Sequence, residues 1–163
     1  MKKVYLGLIA IFAILFGLSG CQPKVPSDQL VYSEVVKHNK NKDDAFELSK
    51  IWLANSFNDS KAVIEYSNKE DGTIVGKGIF RNVDYGMLFI ANTRFTLKID
   101  IKDNKSRLSF KSMLIIPNTS TGVKRFNMWN MDQLEHFKIK AKELVADYNK
   151  EINGLNINSK SDW

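Results

Sequence analysis

The residue with the most sharply specified chemistry is Cys21, the single cysteine in a chain of 163 residues. It closes the run Leu18-Ser19-Gly20-Cys21, which reads as a lipobox. Small side chains at Ser19 and Gly20 fit a signal peptidase cleft, and the thiol accepts a diacylglyceryl group through a thioether. Upstream, Lys2 and Lys3 give a basic start and Val4 to Leu18 an uncharged, mostly apolar stretch, the pattern of a secretory signal. That stretch is shorter than the roughly 20 apolar residues a membrane span requires. The expected processing removes residues 1–20 and leaves Cys21 as a lipidated first residue bearing acyl chains of the palmitate type. Several acyl chains together anchor a protein far more firmly than one. A buried or free thiol is the competing reading, but a lone cysteine in an exported chain, placed directly after an apolar run, favours the lipid. The expected location is the cell envelope, and the uncharged Gln22 resembles outer-membrane sorting if the cell is Gram-negative.

Elsewhere the chemistry-bearing residues are sparse. Two histidines, His38 and His136, and no second thiol leave too few ligands for a zinc site, which needs three or four. No metal and no cofactor is expected. No serine sits in a nucleophile elbow, and Glu65, Glu70, Asp71 and Asp84 pair as acid and base only if the fold gathers them. Gly76-Lys77-Gly78 invites a phosphate-loop reading, yet such loops lead into a helix N-terminus, whereas this run continues as strand. The glycines are better explained by close packing of another element. Trp52 reads as a core anchor rather than a pocket wall, and His136 as a surface residue at the edge of an apolar helix face.

The candidate binding surface comes from alternation. Along Arg94 to Lys102, Phe95, Leu97, Ile99 and Ile101 point one way, while Thr96, Lys98, Asp100 and Lys102 point the other. Across a turn at Asp103-Asn104-Lys105-Ser106, Arg107, Ser109 and Lys111 are expected to join the polar side. Lys98, Lys102, Arg107 and Lys111 then form a basic sheet face suited to acidic partners. The segment Asp84 to Asn92 holds Tyr85 and Phe89, which join the candidate binding surface as a lip over a ligand or partner groove or else pack into the core as a wider part of the meander. Nucleic acid is not an expected partner, because Asp100 interrupts the lysines, no aromatics are interleaved for base stacking, and the chain is exported.

Positioning these residues requires a folded domain, and the composition supports one. With 44% hydrophobic and 26% charged residues the chain can bury enough surface to offset its ordering entropy. Its length excludes a large multidomain enzyme, and its single cysteine excludes an internal disulfide. Loss of the signal lowers 24 cations to 22 against 18 carboxylates, so the charge falls from +6 to +4. Residues 21–28, with Pro23 and Pro26, read as a lipidated tether, 29–153 as one domain and 154–163 as a polar tail. Leu30 to Lys37 is expected as a strand, and a helix capped by Asp43 or Asp44 follows with Ala45, Leu48, Ile51, Trp52 and Ala54 on its apolar face. Strands over Ala62 to Tyr66, Gly72 to Phe80, Arg94 to Lys102 and Arg107 to Ile116 come next, the last with Leu108, Phe110, Leu114 and Ile116 on one side. Asp132 to Ile152 then places Leu134, Phe137, Ala141, Leu144, Val145, Tyr148 and Ile152 along one stripe, a long amphipathic helix. The loop from Thr119 to Met131 precedes it. The order β-α-β-β-β-β-α predicts a two-layer α+β domain, an antiparallel sheet of about five strands with two helices on one face. The other face is left open.

Four blocks carry a resemblance: Ile51 to Phe57, Ser60 to Tyr66, Ile74 to Gly78 and Phe95 to Asp103 are similar to the bacterial family known as domain of unknown function 4468. The resemblance spans about Leu30 to Ile116 and implies a TBP-like fold, a curved antiparallel sheet with helices on one side. It implies no activity and carries no catalytic residues. On this basis the expected function is a cell-envelope lipoprotein, a non-enzymatic module that binds an envelope protein, glycan or small molecule. The alternatives are an enzyme acting on envelope polymers and a structural component of an envelope complex.

Overall fold

The computed structural model describes residues 25–26, 30–57, 63–86, 89–117, 126–127 and 130–154. The lipobox, the signal and the C-terminal tail beyond Gly154 lie outside the described residues. In chain order the elements are β1 (Tyr32–Lys37), α1 (Lys42–Ser56), β2 (Val63–Asn68), β3 (Thr73–Asp84), β4 (Ile90–Lys102), β5 (Lys105–Pro117), β6 (Phe126–Asn127) and α2 (Met131–Gly154). The expected order and the α+β architecture hold. Strands β2 to β5 form an antiparallel meander, and β1 pairs with β5, giving the sheet order β1-β5-β4-β3-β2. The two-residue β6 continues the edge of β5 beyond the part that β1 covers, opposite Leu114 and Ile115.

β4 shows why one face of this sheet is dry. Its residues alternate without a break, with Ala91, Thr93, Phe95, Leu97, Ile99 and Ile101 all buried. Both helices pack on that side. Phe95, Phe110 and Phe137 meet with ring centroids 5.4 to 6.0 Å apart, and Phe80 stacks 4.4 Å from Phe95. Between the helices, the Trp52 and Tyr148 rings touch edge to face at 4.9 Å. Gly78 makes room for this cluster. A Cβ there would stand 2.6 Å from the Phe95 ring and 2.9 Å from the Phe57 ring, so the glycine serves close packing, as expected from a strand-borne glycine.

Several expectations are corrected. Helix α1 is capped by Asn41, whose Oδ1 accepts from the Asp44 amide at 2.8 Å, while Asp43 and Asp44 occupy the first turn. Ile51 and Ala54 are exposed, and Phe46, Ser49 and Leu53 are buried in their place. In β5 the buried apolar residues are Leu108, Phe110, Met113 and Ile115, not Leu114 and Ile116. The cause is a bulge between Thr96↔Lys111 and Arg94↔Leu114, where Ser112 takes a φ of 52°. One extra residue inverts the parity of everything after it. A second bulge in β3 lies between Phe80 and Val83, with Asn82 at φ 50° and its amide donating to Asn92 Oδ1 at 3.0 Å. β3 therefore runs on to Asp84 and β4 starts at Ile90, both longer than expected. Finally, Val25 and Leu30 are buried, so packing starts inside the segment expected to be tether.

Candidate functional site: the uncovered sheet face

The face opposite the helices is built by strand parity. Across its middle, the cross-strand register aligns Tyr66, Val75, Lys98, Ser109 and Ser33, and the next row aligns Asn68, Thr73, Asp100, Arg107 and Val35. At the sheet end Lys37, Lys105 and Lys102 fall in one row, and toward the other end lie Lys111, Thr96 and Lys77. Ser33 and Ser109 confirm that β1 shares this side, their hydroxyls hydrogen-bonded at 2.9 Å.

Asp100 organises the centre. Its carboxylate accepts from Lys98 Nζ at 2.6 Å on one oxygen and from Arg107 Nη2 at 2.8 Å on the other. Partial burial pushes its acidity toward higher pKa, but the hydrogen bonds and charges of Lys98 and Arg107 outweigh this and hold it below the usual carboxylate value. Lys77 pairs with Glu65 at the β2 edge. Lys37, Arg94, Lys102, Lys105 and Lys111 have no carboxylate partner among the described residues. Lys102, Lys105, Arg107, Asp100 and Val35 line a shallow depression of about 250 Å³. The face is thus a field of cations with the carboxylates of Asp100, Glu65 and, opposite Ile90, Asp84 set among them, and it can hold an anionic surface by charge without enclosing a small ligand.

The sequence-predicted residues divide between the two sides. Lys98, Lys102, Arg107 and Lys111 share the open face, with Lys102 opposite Lys105 rather than Arg107. Tyr85 and Phe89 do not border it. Tyr85 is buried against the helix layer, its ring 6.2 Å from His136 and 5.9 Å from Phe89, its hydroxyl bonded to the buried Thr93. Burial pushes its pKa up to about 12, the Thr93 hydrogen bond partly opposing. A backbone bond from the Phe89 amide to the Gly86 carbonyl closes this turn, so the aromatic pair finishes the core rather than forming a lip. Lys37, Arg94, Lys105 and the exposed apolar Val35 and Tyr66 belong to the face but escaped sequence reasoning. The β1–β5 pairing that places Lys37 and Val35 there joins residues far apart in the chain.

Among the described residues His38 and Ser106 form a serine–histidine pair, and its geometry does not suit nucleophilic catalysis. His38 Nδ1 accepts from the Lys40 amide at 3.3 Å, which leaves the proton on Nε2, 3.0 Å from Ser106 Oγ. The ring therefore donates to the serine instead of accepting its proton. Ser106 is fully buried, and Tyr148 links it to Ser49, whose Oγ also donates to the Ala45 carbonyl at 2.6 Å. Trp52 is buried with its indole nitrogen donating to Asp147 Oδ2 at 2.9 Å. Among the described residues no cluster of three or more His, Cys, Asp or Glu is placed to hold a metal.

Residues 32–114, from the start of β1 through most of β5, match the family model described as a domain of unknown function (DUF4468) with TBP-like fold. The chain belongs to this family. Two solved structures share the architecture of the DUF4468 domain. A TBP-like protein from Parabacteroides distasonis is 17% identical with a TM-score of 0.60, covering 75% of this chain and 91% of its own. A DUF4468 family protein from Bacteroides ovatus is 15% identical with a TM-score of 0.55, covering 83% of this chain and 90% of its own. At such identities the likeness is one of fold. No curated protein matches the chain.

Proposed function

We propose that this DUF4468 protein is a lipid-anchored cell-envelope module, held by Cys21, that binds an anionic partner through its uncovered sheet face. The observation that carries the reading is the set Lys37, Arg94, Lys102, Lys105 and Lys111 on one side of the sheet, opposite the side the helices cover and without a carboxylate partner among the described residues. Covering a sheet on one side only leaves the other for solvent or a partner. On that side cations outnumber carboxylates, whereas α2 carries four lysines against five carboxylates, with Lys138–Glu135 and Lys140–Glu143 paired. Long cationic side chains on a rigid sheet speed encounter with acidic partners and give a salt-sensitive affinity.

The test is photo-crosslinking in whole cells from Thr96, on the open face, and from Lys150, on α2. Adducts from Thr96 but not from Lys150 are expected. Adducts from Lys150 alone, or none from either site, contradict the reading.

A further inference from the structure

We infer that the anionic partner of the open face is the headgroup layer of the membrane that holds the anchor. This rests on the lipid-anchored reading above and deepens it. The first argument is reach. Val25 is buried in the domain, so only four peptide steps separate Cys21 from packed structure, a reach of at most about 14 Å. A lipidated Cys21 therefore holds the domain against the bilayer, at a separation comparable with the screening length of about 8 to 10 Å in physiological salt.

The second argument is shape. The cations are distributed over β1, β4 and β5 on a broad face instead of converging in an enclosed pocket. A small anion is held by a few groups that converge on it; a flat layer of headgroups meets many separated lysines at once. Interleaved with them are exposed Val35 (54%), Tyr66 (48%) and Ile90 (49%), side chains that suit the polar–apolar boundary, Tyr66 in particular. The third is polarity of the whole domain. The groove between the helices on the far side holds Asp147 and Glu151 beside Trp52, and the helices lack the cation excess of the sheet face, so an anionic membrane favours the sheet side over the helix side. The domain lies sheet-down on its membrane.

Flotation of the full mature chain carrying Cys21→Ser, and so free of lipid, isolates the charge term. It is expected to float with phosphatidylglycerol-rich vesicles, not with phosphatidylcholine vesicles, and to be released by salt at about 0.5 M. Lys102→Gln and Lys105→Gln should each weaken binding about fivefold, while Lys138→Gln and Lys140→Gln on α2 should not, with far-ultraviolet circular dichroism verifying every fold. Equal partition into both vesicles, or equal loss from the α2 substitutions, overturns the inference. So does retention on an anionic polysaccharide resin without vesicle binding, an outcome that leaves the open-face reading standing with a glycan as partner. Failure of the anchor itself is read separately, as absence of fatty-acid labelling on the unmutated protein in cells.

Discussion

His38 carries the clearest pH dependence in the domain. Burial lowers its pKa below the ordinary 6.5, and the Lys40 charge assists. The folded state thus resists a proton that the unfolded chain accepts below about pH 6.5, and stability falls as the pH drops from there through the folded-state pKa. His38→Gln keeps a donor for Ser106 without titrating. Its urea midpoint should fall modestly at about pH 7.5, by roughly 1 kcal/mol of lost hydrogen bonding, and should change less than the parent's on going to about pH 5. A parallel acid loss in both proteins would exclude His38 as the source. Asp100 acts in the opposite sense on binding: Asp100→Asn frees Lys98 and Arg107, so affinity for anionic vesicles should rise, at a stability cost of about 1 kcal/mol or less for a surface pair. None of the His38 network was legible beforehand, because His38 opens a polar run that looks like a solvated loop, and its partners Ser106 and Tyr148 are far along the chain. Lys98, Lys102, Arg107 and Lys111 were legible because strict alternation assigns their side of the strand.

The elements divide along the same line. The stripe of α2 was readable because Leu134, Phe137, Ala141, Val145, Tyr148 and Ile152 keep helical spacing, and all six are buried. The alternation of β4 was readable because no residue interrupts it. β5 was readable only as far as Phe110, since Ser112 adds a residue in a left-handed conformation without the glycine that normally announces one. That conformation costs a non-glycine residue roughly 1 to 2 kcal/mol. Ser112→Gly should therefore stabilise the domain, and Ser112→Val should destabilise it by about 1 kcal/mol or more, measured as shifts in urea midpoint; a stabilising valine would mean that the bulge relaxes into regular strand. For α1, Asn41→Ala removes the cap and should cost about 1 kcal/mol, whereas the same change at Asp43 should cost less. The sequence points to the neighbouring carboxylates because Asp, Asn and Ser are equivalent cap formers on paper; the choice among them is made by where the chain leaves β1.

At the scale of the whole molecule, the proposed anchor at Cys21 works together with a face assembled by topology. Cys21→Ala should leave an unprocessed precursor without fatty-acid label, visible as a slower band on a gel; a processed, labelled mutant would remove the anchor from the account. The two-layer architecture was legible from element order and one-sided helices. The extent of the basic face was not, since Lys37 and Val35 join it only because β1 crosses to the far edge of the sheet and pairs with β5. The central claim is that the lipidated domain rests on its membrane through this face. With Cys21 acylated, a cysteine introduced elsewhere is the sole free thiol, so maleimide labelling reports one position at a time. On anionic vesicles, the lipidated protein carrying Thr73→Cys should label much more slowly than it does in detergent, while Glu143→Cys on α2 should label equally in both; equal rates at Thr73 in both media, or slowing at Glu143 instead, would contradict the orientation.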